Sequence, residues 1–222
     1  MNKFASSPDF HTATDEWLAG YAAGVLSPLK RLLIECQAAI QPALRAQLDT
    51  LDCIGGSFLE SATGMSLAGD FMQRLSAAIE NAPAVKERPA PKTSSAWMPG
   101  ALQDFLDEAA LSVVWRASGP GVKRAPLWEE DGERLYLLRA RPGLKLPEHS
   151  HKGQEWTLIL QGGYHIGETG YGPGDLHCED ETCRHQPLID DEGEDCISLV
   201  ADEGKLVFRD PLLKILQPLF GI

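Results

Sequence analysis

The segment from Gly143 to Gly162 constrains this chain most, because it places three metal-binding side chains before an apolar run. Residues two apart in a β-strand face the same side, so His149 and His151 can direct both imidazoles into one interior. The turn residues Lys152–Gln154 allow the Glu155 carboxylate to return toward them. Two imidazoles and a carboxylate suit zinc, iron, nickel or manganese, but they leave the coordination incomplete.

A fourth ligand has to come from elsewhere, and three histidines lie downstream. His165 stands among polar turn residues in YHIGETG, so we expect it to be exposed to solvent. His177 and His185 both remain candidates on residue type and position.

The second half of the chain has the pattern of an antiparallel barrel or sandwich, with short apolar runs separated by turn residues such as GYGPGD and DDEGED. The candidate strands are LSVVWRA, RLYLLRARP, EWTLILQGGYHI, DLHCE, DCISLVAD and KLVFRD. The closing stretch PLLKILQPLFGI is apolar and is expected to pack back on one half of the molecule.

The first half has helical periodicity. Thr14 or Asp15 can cap a first helix, and Ser27 followed by Pro28 can start a second one. Pro42 is expected to kink or end this second helix. The pattern then continues toward Gly55-Gly56, and a further helix is expected from about Ser66 to Ile79.

These patterns predict an α+β chain of two domains. Residues 1–80 form a small helical bundle, residues 81–99 a linker rich in proline, alanine and serine, and residues 100–222 an all-β barrel. Since about 65 residues give only marginal stability, docking on a partner would help the bundle.

The net charge of −12 disfavours nucleic acid as a partner. The N-terminus lacks the apolar core of a signal peptide, and no apolar run reaches the roughly 20 residues that cross a bilayer, so we expect a cytoplasmic protein. Five cysteines without a C-x-x-C pair argue against a disulfide framework, and most should be buried thiols, Cys178 and Cys183 included. A redox role for those two cysteines stays the alternative.

The spacing around the first histidines resembles the first cupin motif, G-x5-H-x-H-x3-E-x6-G, at every defined position from Gly143. From Gly174 the spacing also follows the second motif, G-x5-P-x-G-x2-H, although Asp180 and Thr182 replace its proline and glycine. The resemblance implies a double-stranded β-helix barrel that holds one divalent metal. Zinc is the metal expected first, and iron, manganese or nickel are alternatives. The implied ligands are His149, His151, Glu155 and His185.

A helical segment, a proline-rich linker and a single cupin together resemble the ChrR-like anti-sigma factors. DEWLAGYAAGVLS, LDCIGGSFLE and LLKILQPLFGI carry the resemblance outside the barrel. It implies a cytoplasmic protein that holds an alternative sigma factor of the extracytoplasmic-function type inactive until an oxidative signal arrives. Self-association is left open.

One motif of that family is lost. Its zinc-binding H-x3-C-x2-C aligns with Gln37, Gln41 and Leu44, so no zinc is expected in the helical domain. Structural zinc contributes on the order of 10 kcal/mol to folding a small domain, so apolar packing has to offset its absence.

Two other functions remain open. A metal-dependent enzyme of the dioxygenase type would use the helices as a lid or dimerisation arm, because three histidines and a glutamate leave open positions on iron. The third possibility is a small-molecule binding module, or a relative of the anti-sigma factors that has lost its partner.

Overall fold

The computed structural model describes residues 13–82, 95–204 and 206–208. Within them the chain forms five helices and eleven strands. The helices are α1 (Asp15–Ala22), α2 (Pro28–Ile40), α3 (Pro42–Ser61), α4 (Phe71–Glu80) and α5 (Gly100–Glu108). The strands are β1 (Arg116–Ala117), β2 (Val122–Glu130), β3 (Glu133–Ala140), β4 (His149–His151), β5 (Glu155–Gln161), β6 (Tyr164–Ile166), β7 (Thr169–Tyr171), β8 (Leu176–Glu179), β9 (Leu188–Ile189), β10 (Cys196–Asp202) and β11 (Leu206–Phe208).

The first helices begin as their sequences predict. The Thr14 side chain accepts a hydrogen bond from the Trp17 amide, and Ser27 caps α2 in the same way with Pro28 in the first turn. Pro42 ends α2 and opens α3. Helix α3 then continues through Gly55 and Gly56 to Ser61, because glycine lowers helix propensity by only about 1 kcal/mol.

Other helical boundaries differ from the expectation. The helix expected from Ser66 starts at Phe71, after a turn at Gly69-Asp70. Helix α5 was not anticipated, and it packs on α2. The stretch LSVVWRA, expected as a strand, contributes only Arg116–Ala117. None of the described helices is long and apolar enough to span a membrane.

The strands form an antiparallel cupin-type barrel. One sheet has the order β1-β2-β3-β10-β5-β8, and the smaller sheets are β11-β4 and β7-β6-β9. Between β5 and β6 the chain turns at Gly162, which has φ +66° and where an added Cβ would lie 2.9 Å from Cys196 Cα. That contact explains why the first motif ends in glycine. The closing stretch PLLKILQPLFGI lies outside the described residues.

Helices α1, α2, α3 and α5 pack over the outer face of the six-stranded sheet. Along β5 the side chains of Glu155 and Thr157 line the barrel cavity, whereas Trp156 and Leu158 point to the helices. Buried residues of α1, α2, α3 and α5 belong to the same hydrophobic cluster as these outward residues. The helical and barrel regions therefore share one core.

Candidate metal centre

Two segments bring the three histidines together. Strand β4 carries His149 and His151 on one face, with both residues buried. The backbones of His149 and His185 exchange two hydrogen bonds of 3.1 Å. This pairing holds His185 beside β4 despite the altered turn residues of the second motif.

The ring nitrogens of these histidines converge on one point. The Nε2 atom of His185 lies 2.8 Å from Nε2 of His149 and 3.2 Å from Nε2 of His151. One nitrogen from each of the three histidines lies within 4.8 Å of the other two. Nitrogen lone pairs directed at one point suit a divalent cation with imidazole ligands.

The protonation of the site also favours a cation. Burial, with the neighbouring His185, lowers the pKa of His149 to about 4. Burial and the other two imidazoles lower the pKa of His151 to about 3. Both rings are therefore neutral at pH 7, which is the form that binds metal.

Glu155 lies beside the histidines but outside their point of convergence. Its Oε2 atom is 3.3 Å from His151 Nδ1, the ring nitrogen that does not face His185. Tyr136 and Thr157 each donate a hydrogen bond of 3.3 Å to the carboxylate. Burial, with the nearby Asp202 carboxylate, raises the pKa of Glu155 to about 7, and a bound cation would favour its ionised form.

A second carboxylate, Glu179, was not anticipated from the sequence. Its Oε1 atom lies 3.3 Å from Nδ1 of His185. Burial is the largest single influence on the Glu179 carboxyl and opposes its ionisation, but the contacts with His185, Cys183 and His177 together outweigh burial and lower the pKa. Such a contact fixes the orientation of an imidazole ligand. The signal that could have found Glu179 is the alternation in DLHCE, which turns His177 and Glu179 to the same side.

The other two histidines lie apart from the cluster. His177 is buried, and its Nε2 is hydrogen-bonded to the Tyr164 hydroxyl. Its ring packs against Tyr171, with centroids 4.4 Å apart and ring planes tilted by 32°. His165 is half-exposed, and its Nδ1 lies 2.8 Å from Asp190 Oδ1. The structure therefore groups His185, and not His165 or His177, with His149 and His151.

A cavity of about 390 Å³ inside the barrel reaches the site. Its wall includes His149, Glu155 and His185, and most of its remaining surface is apolar. The site therefore faces a partly open cavity that can admit a small molecule.

The cysteines divide into three groups. Cys36 and Cys196 are buried, Cys178 is half-buried, and Cys53 and Cys183 are exposed. The expected burial of Cys183 was wrong, because it lies in the exposed turn before His185. All five are free thiols.

The comparisons with known proteins cover almost the whole chain. The family described as the ChrR cupin-like domain matches residues 109–203. The anti-sigma-E factor ChrR of Cereibacter sphaeroides is 33% identical over 214 residues, which are 96% of this chain and 98% of that protein. The chain belongs to the ChrR family of anti-sigma factors.

Two solved structures resemble this ChrR-like chain. A crystal structure of Rhodobacter sphaeroides SigE in complex with the anti-sigma ChrR matches with a TM-score of 0.70 and 30% identity, covering 86% of this chain and 98% of that chain. An RmlC-like cupin protein from Ralstonia eutropha matches with a TM-score of 0.42 and 26% identity, covering 45% of this chain and 69% of that one.

The positions that align with the zinc motif of ChrR-like proteins have other roles here. Leu44 is buried in the shared core. Gln37 is fully buried, and its Oε1 accepts a hydrogen bond of 3.2 Å from the Ala13 amide. Gln37 and Gln41 both donate to the Gly174 carbonyl of the barrel.

Proposed function

We propose that this protein is a cytoplasmic anti-sigma factor that sequesters an alternative sigma factor through its helical region. Similarity to ChrR over 96% of the chain is the observation that carries the proposal. In this proposal residues 1–80 bind the sigma factor, and residues 81–99 link them to the cupin domain. Residues 100–222 form that domain, which responds to oxidative stress.

Exposed apolar side chains on α3 and α4 support this assignment. We define the open helical face as the exposed apolar residues Ile54, Phe58, Leu59, Phe71, Met72, Leu75 and Ile79. Phe58 is 72% exposed and Ile79 67% exposed. Exposed apolar side chains in this number are typical of a binding surface, and the net charge of −12 would attract a basic sigma-factor surface.

The experiment uses the full chain and each extracytoplasmic-function sigma factor of its own genome. We expect one sigma factor to form a stable complex and to lose transcription activity in vitro. Phe58→Ser and Ile79→Ser should weaken this complex by at least about tenfold each, because anchoring apolar residues carry most of the binding energy. Leu188→Ser is the matched control, since Leu188 is a 43% exposed apolar residue of the barrel. Unchanged transcription with every sigma factor would refute the proposal.

For the metal, the proposed ligands are His149, His151 and His185, with Glu155 completing the set. The convergence of the three Nε2 atoms supports the histidines, and the adjacent carboxylate supports Glu155. Zinc fits this donor set, and so do iron, manganese and nickel. When bound, the metal would supply an exchangeable coordination position at the cavity. Glu179 would orient His185, while Tyr136 and Thr157 hold Glu155.

The cavity beside the histidines favours one second candidate, a metal-dependent enzyme of the dioxygenase type. Its volume of about 390 Å³ admits a small substrate next to the proposed ligands. Purified protein that contains iron and consumes oxygen with a small diketone or thiol substrate would favour the enzyme. Protein that consumes none, while it binds a sigma factor, would favour the anti-sigma factor.

A further inference from the structure

The Gly174 carbonyl accepts two hydrogen bonds from side chains of the helical region. The Nε2 atom of Gln37 lies 2.9 Å from this oxygen, and Nε2 of Gln41 lies 2.7 Å from it. Gly174 stands between β7 and β8, and its own amide donates to Ile159 in β5. The two side-chain amides therefore join the end of α2 to the barrel wall, which lies 137 and 133 residues further along the chain.

The same glycine fits closely against the end of α2. It has φ +91°, and an added Cβ would lie 2.9 Å from Ile40 Cγ2 and 3.2 Å from Gln41 Cγ. A Cβ at the first distance would force a neighbouring group to shift, so the absence of a side chain at residue 174 favours the close approach of the barrel backbone to α2.

Gln37 also binds the segment that precedes α1. Its Oε1 accepts from the Ala13 amide while its Nε2 donates to Gly174, so one buried side chain joins the segment before α1, helix α2 and the barrel. Gln41 connects α2 to α3 and makes no side-chain cap of its own, which leaves its amide group available for Gly174.

A second group of contacts lies at the other end of α2. The Lys30 ammonium is 2.5 Å from Glu203 Oε1 and 3.1 Å from Gln154 Oε1, and it lies 5.1 Å from the centre of the Trp156 ring. Helix α2 is therefore attached to the barrel near both its ends, with apolar packing between them.

From these contacts we infer that Gln37, Gln41 and Gly174, here called the glutamine clamp, make the cupin barrel the structural support of the helical region. A helical bundle of this size is only marginally stable alone, and its buried glutamine would leave the barrel-facing amide without the Gly174 acceptor. The clamp fixes α1, α2 and the start of α3, while the open helical face stays uncovered. Loosening the clamp would loosen the arrangement of these helices from the barrel side.

The test is hydrogen–deuterium exchange on the full chain. Gln41→Glu keeps the shape of the side chain but removes its donor, and the new carboxylate faces the Gly174 carbonyl. We expect amide exchange in α1 and α2 to accelerate by about tenfold, while exchange in β3 and β10 stays unchanged. Gln37→Glu should act more strongly, and Gln41→Glu keeps the test decisive if burial of that charge prevents folding.

Gln47→Glu is the matched control, because it makes the same change at an exposed position of α3. Unchanged exchange in α1 and α2 of the Gln41→Glu chain would overturn the clamp. Equal acceleration in β3 and β10 would also overturn it, since the residue would then stabilise the whole chain without holding the helices to the barrel.

The effect on partner binding rests on the proposed anti-sigma function. There Gln41→Glu should weaken the complex by about tenfold through the loosened helices. The exchange experiment needs no sigma factor, so it can succeed or fail whether or not the wild-type chain binds one.

Discussion

Trp17 of α1 stacks on Trp156 of β5, with ring centroids 3.7 Å apart and ring planes 24° apart. Trp156 directly follows Glu155 in β5, so the two side chains point to opposite faces of the strand. Glu155 faces the proposed metal site, and Trp156 faces the helices. A displacement of β5 at Glu155 would therefore also move Trp156 and its contact with Trp17 of α1.

Replacing Trp17 with alanine should lower the free energy of unfolding by about 2–3 kcal/mol, because the change removes a half-buried ring and its stacking partner loses contact. Denaturant unfolding followed by circular dichroism measures it. Trp128→Ala is the control, since Trp128 is 39% exposed and meets Phe105 only edge-on at 6.2 Å. We expect at most about 1 kcal/mol there. Equal losses in both variants would contradict a special role for the Trp17–Trp156 stack.

Metal binding should depend on His185. We expect the wild-type chain to bind one divalent ion. The His185→Ala change should lower the metal affinity by more than about 100-fold, because loss of a residue that only hydrogen-bonds to a ligand already lowers affinity by about 10–100-fold. Elemental analysis after dialysis against a weak chelator gives the stoichiometry. His165→Ala should keep the metal, because His165 pairs with Asp190 outside the cluster. Retention of metal by the His185 variant would exclude the proposed centre.

Replacing the buried Glu155 and replacing the half-buried Glu179 should have different effects on metal affinity. Glu155→Gln should lower metal affinity by more than about 100-fold if Glu155 is a ligand, whereas Glu179→Gln should cost about 10–100-fold through the orientation of His185. Both changes preserve side-chain shape, so each serves as the control for the other. Competition with a chromogenic chelator ranks the affinities. A larger loss in the Glu179 variant would reverse the two assignments.

Thiol labelling should follow both exposure and pKa. Burial raises the pKa of Cys36, Cys178 and Cys196 to about 12. A hydrogen bond to Glu179 raises the pKa of the exposed Cys183. Iodoacetamide reacts with the thiolate, so Cys53 should be labelled before Cys183, and both before the other three.

The labelling rate of Cys178 should also depend steeply on pH. Because the thiolate fraction of Cys178 grows tenfold per pH unit below its pKa, its labelling rate should rise by about tenfold per unit between pH 7 and 9. Peptide mass spectrometry follows each site separately. A Cys178 that reacts as fast as Cys53 at pH 7 would revive the redox hypothesis for Cys178 and Cys183.

The sequence predicted the barrel and its histidines because their signals are local or periodic. The alternation of His149 and His151 fixes their common face, and the spacing from Gly174 selects His185 even without the usual proline and glycine. Glu179 was missed because its role depends on register: β5 and β8 place it opposite Glu155. The alternation in DLHCE gives the side of the strand on which Glu179 lies, but not its neighbours across the sheet.

The contacts between helices and barrel could not be predicted for a similar reason. Gln37 and Gly174 are far apart in sequence, and nothing in either local pattern points to the other. Helix α5 was missed because Leu102, Phe105 and Leu106 give only one apolar turn in nine residues, too short for a clear helical period.

The open helical face also has consequences for the life of the protein in a cell. Exposed phenylalanine, leucine and isoleucine side chains are the surface that chaperones and proteases recognise in incompletely assembled proteins. A chain made in excess of its partner would present that surface continuously and be cleared, whereas a bound chain would hide it. Turnover would then match the abundance of the inhibitor to that of its target without any separate control of its synthesis.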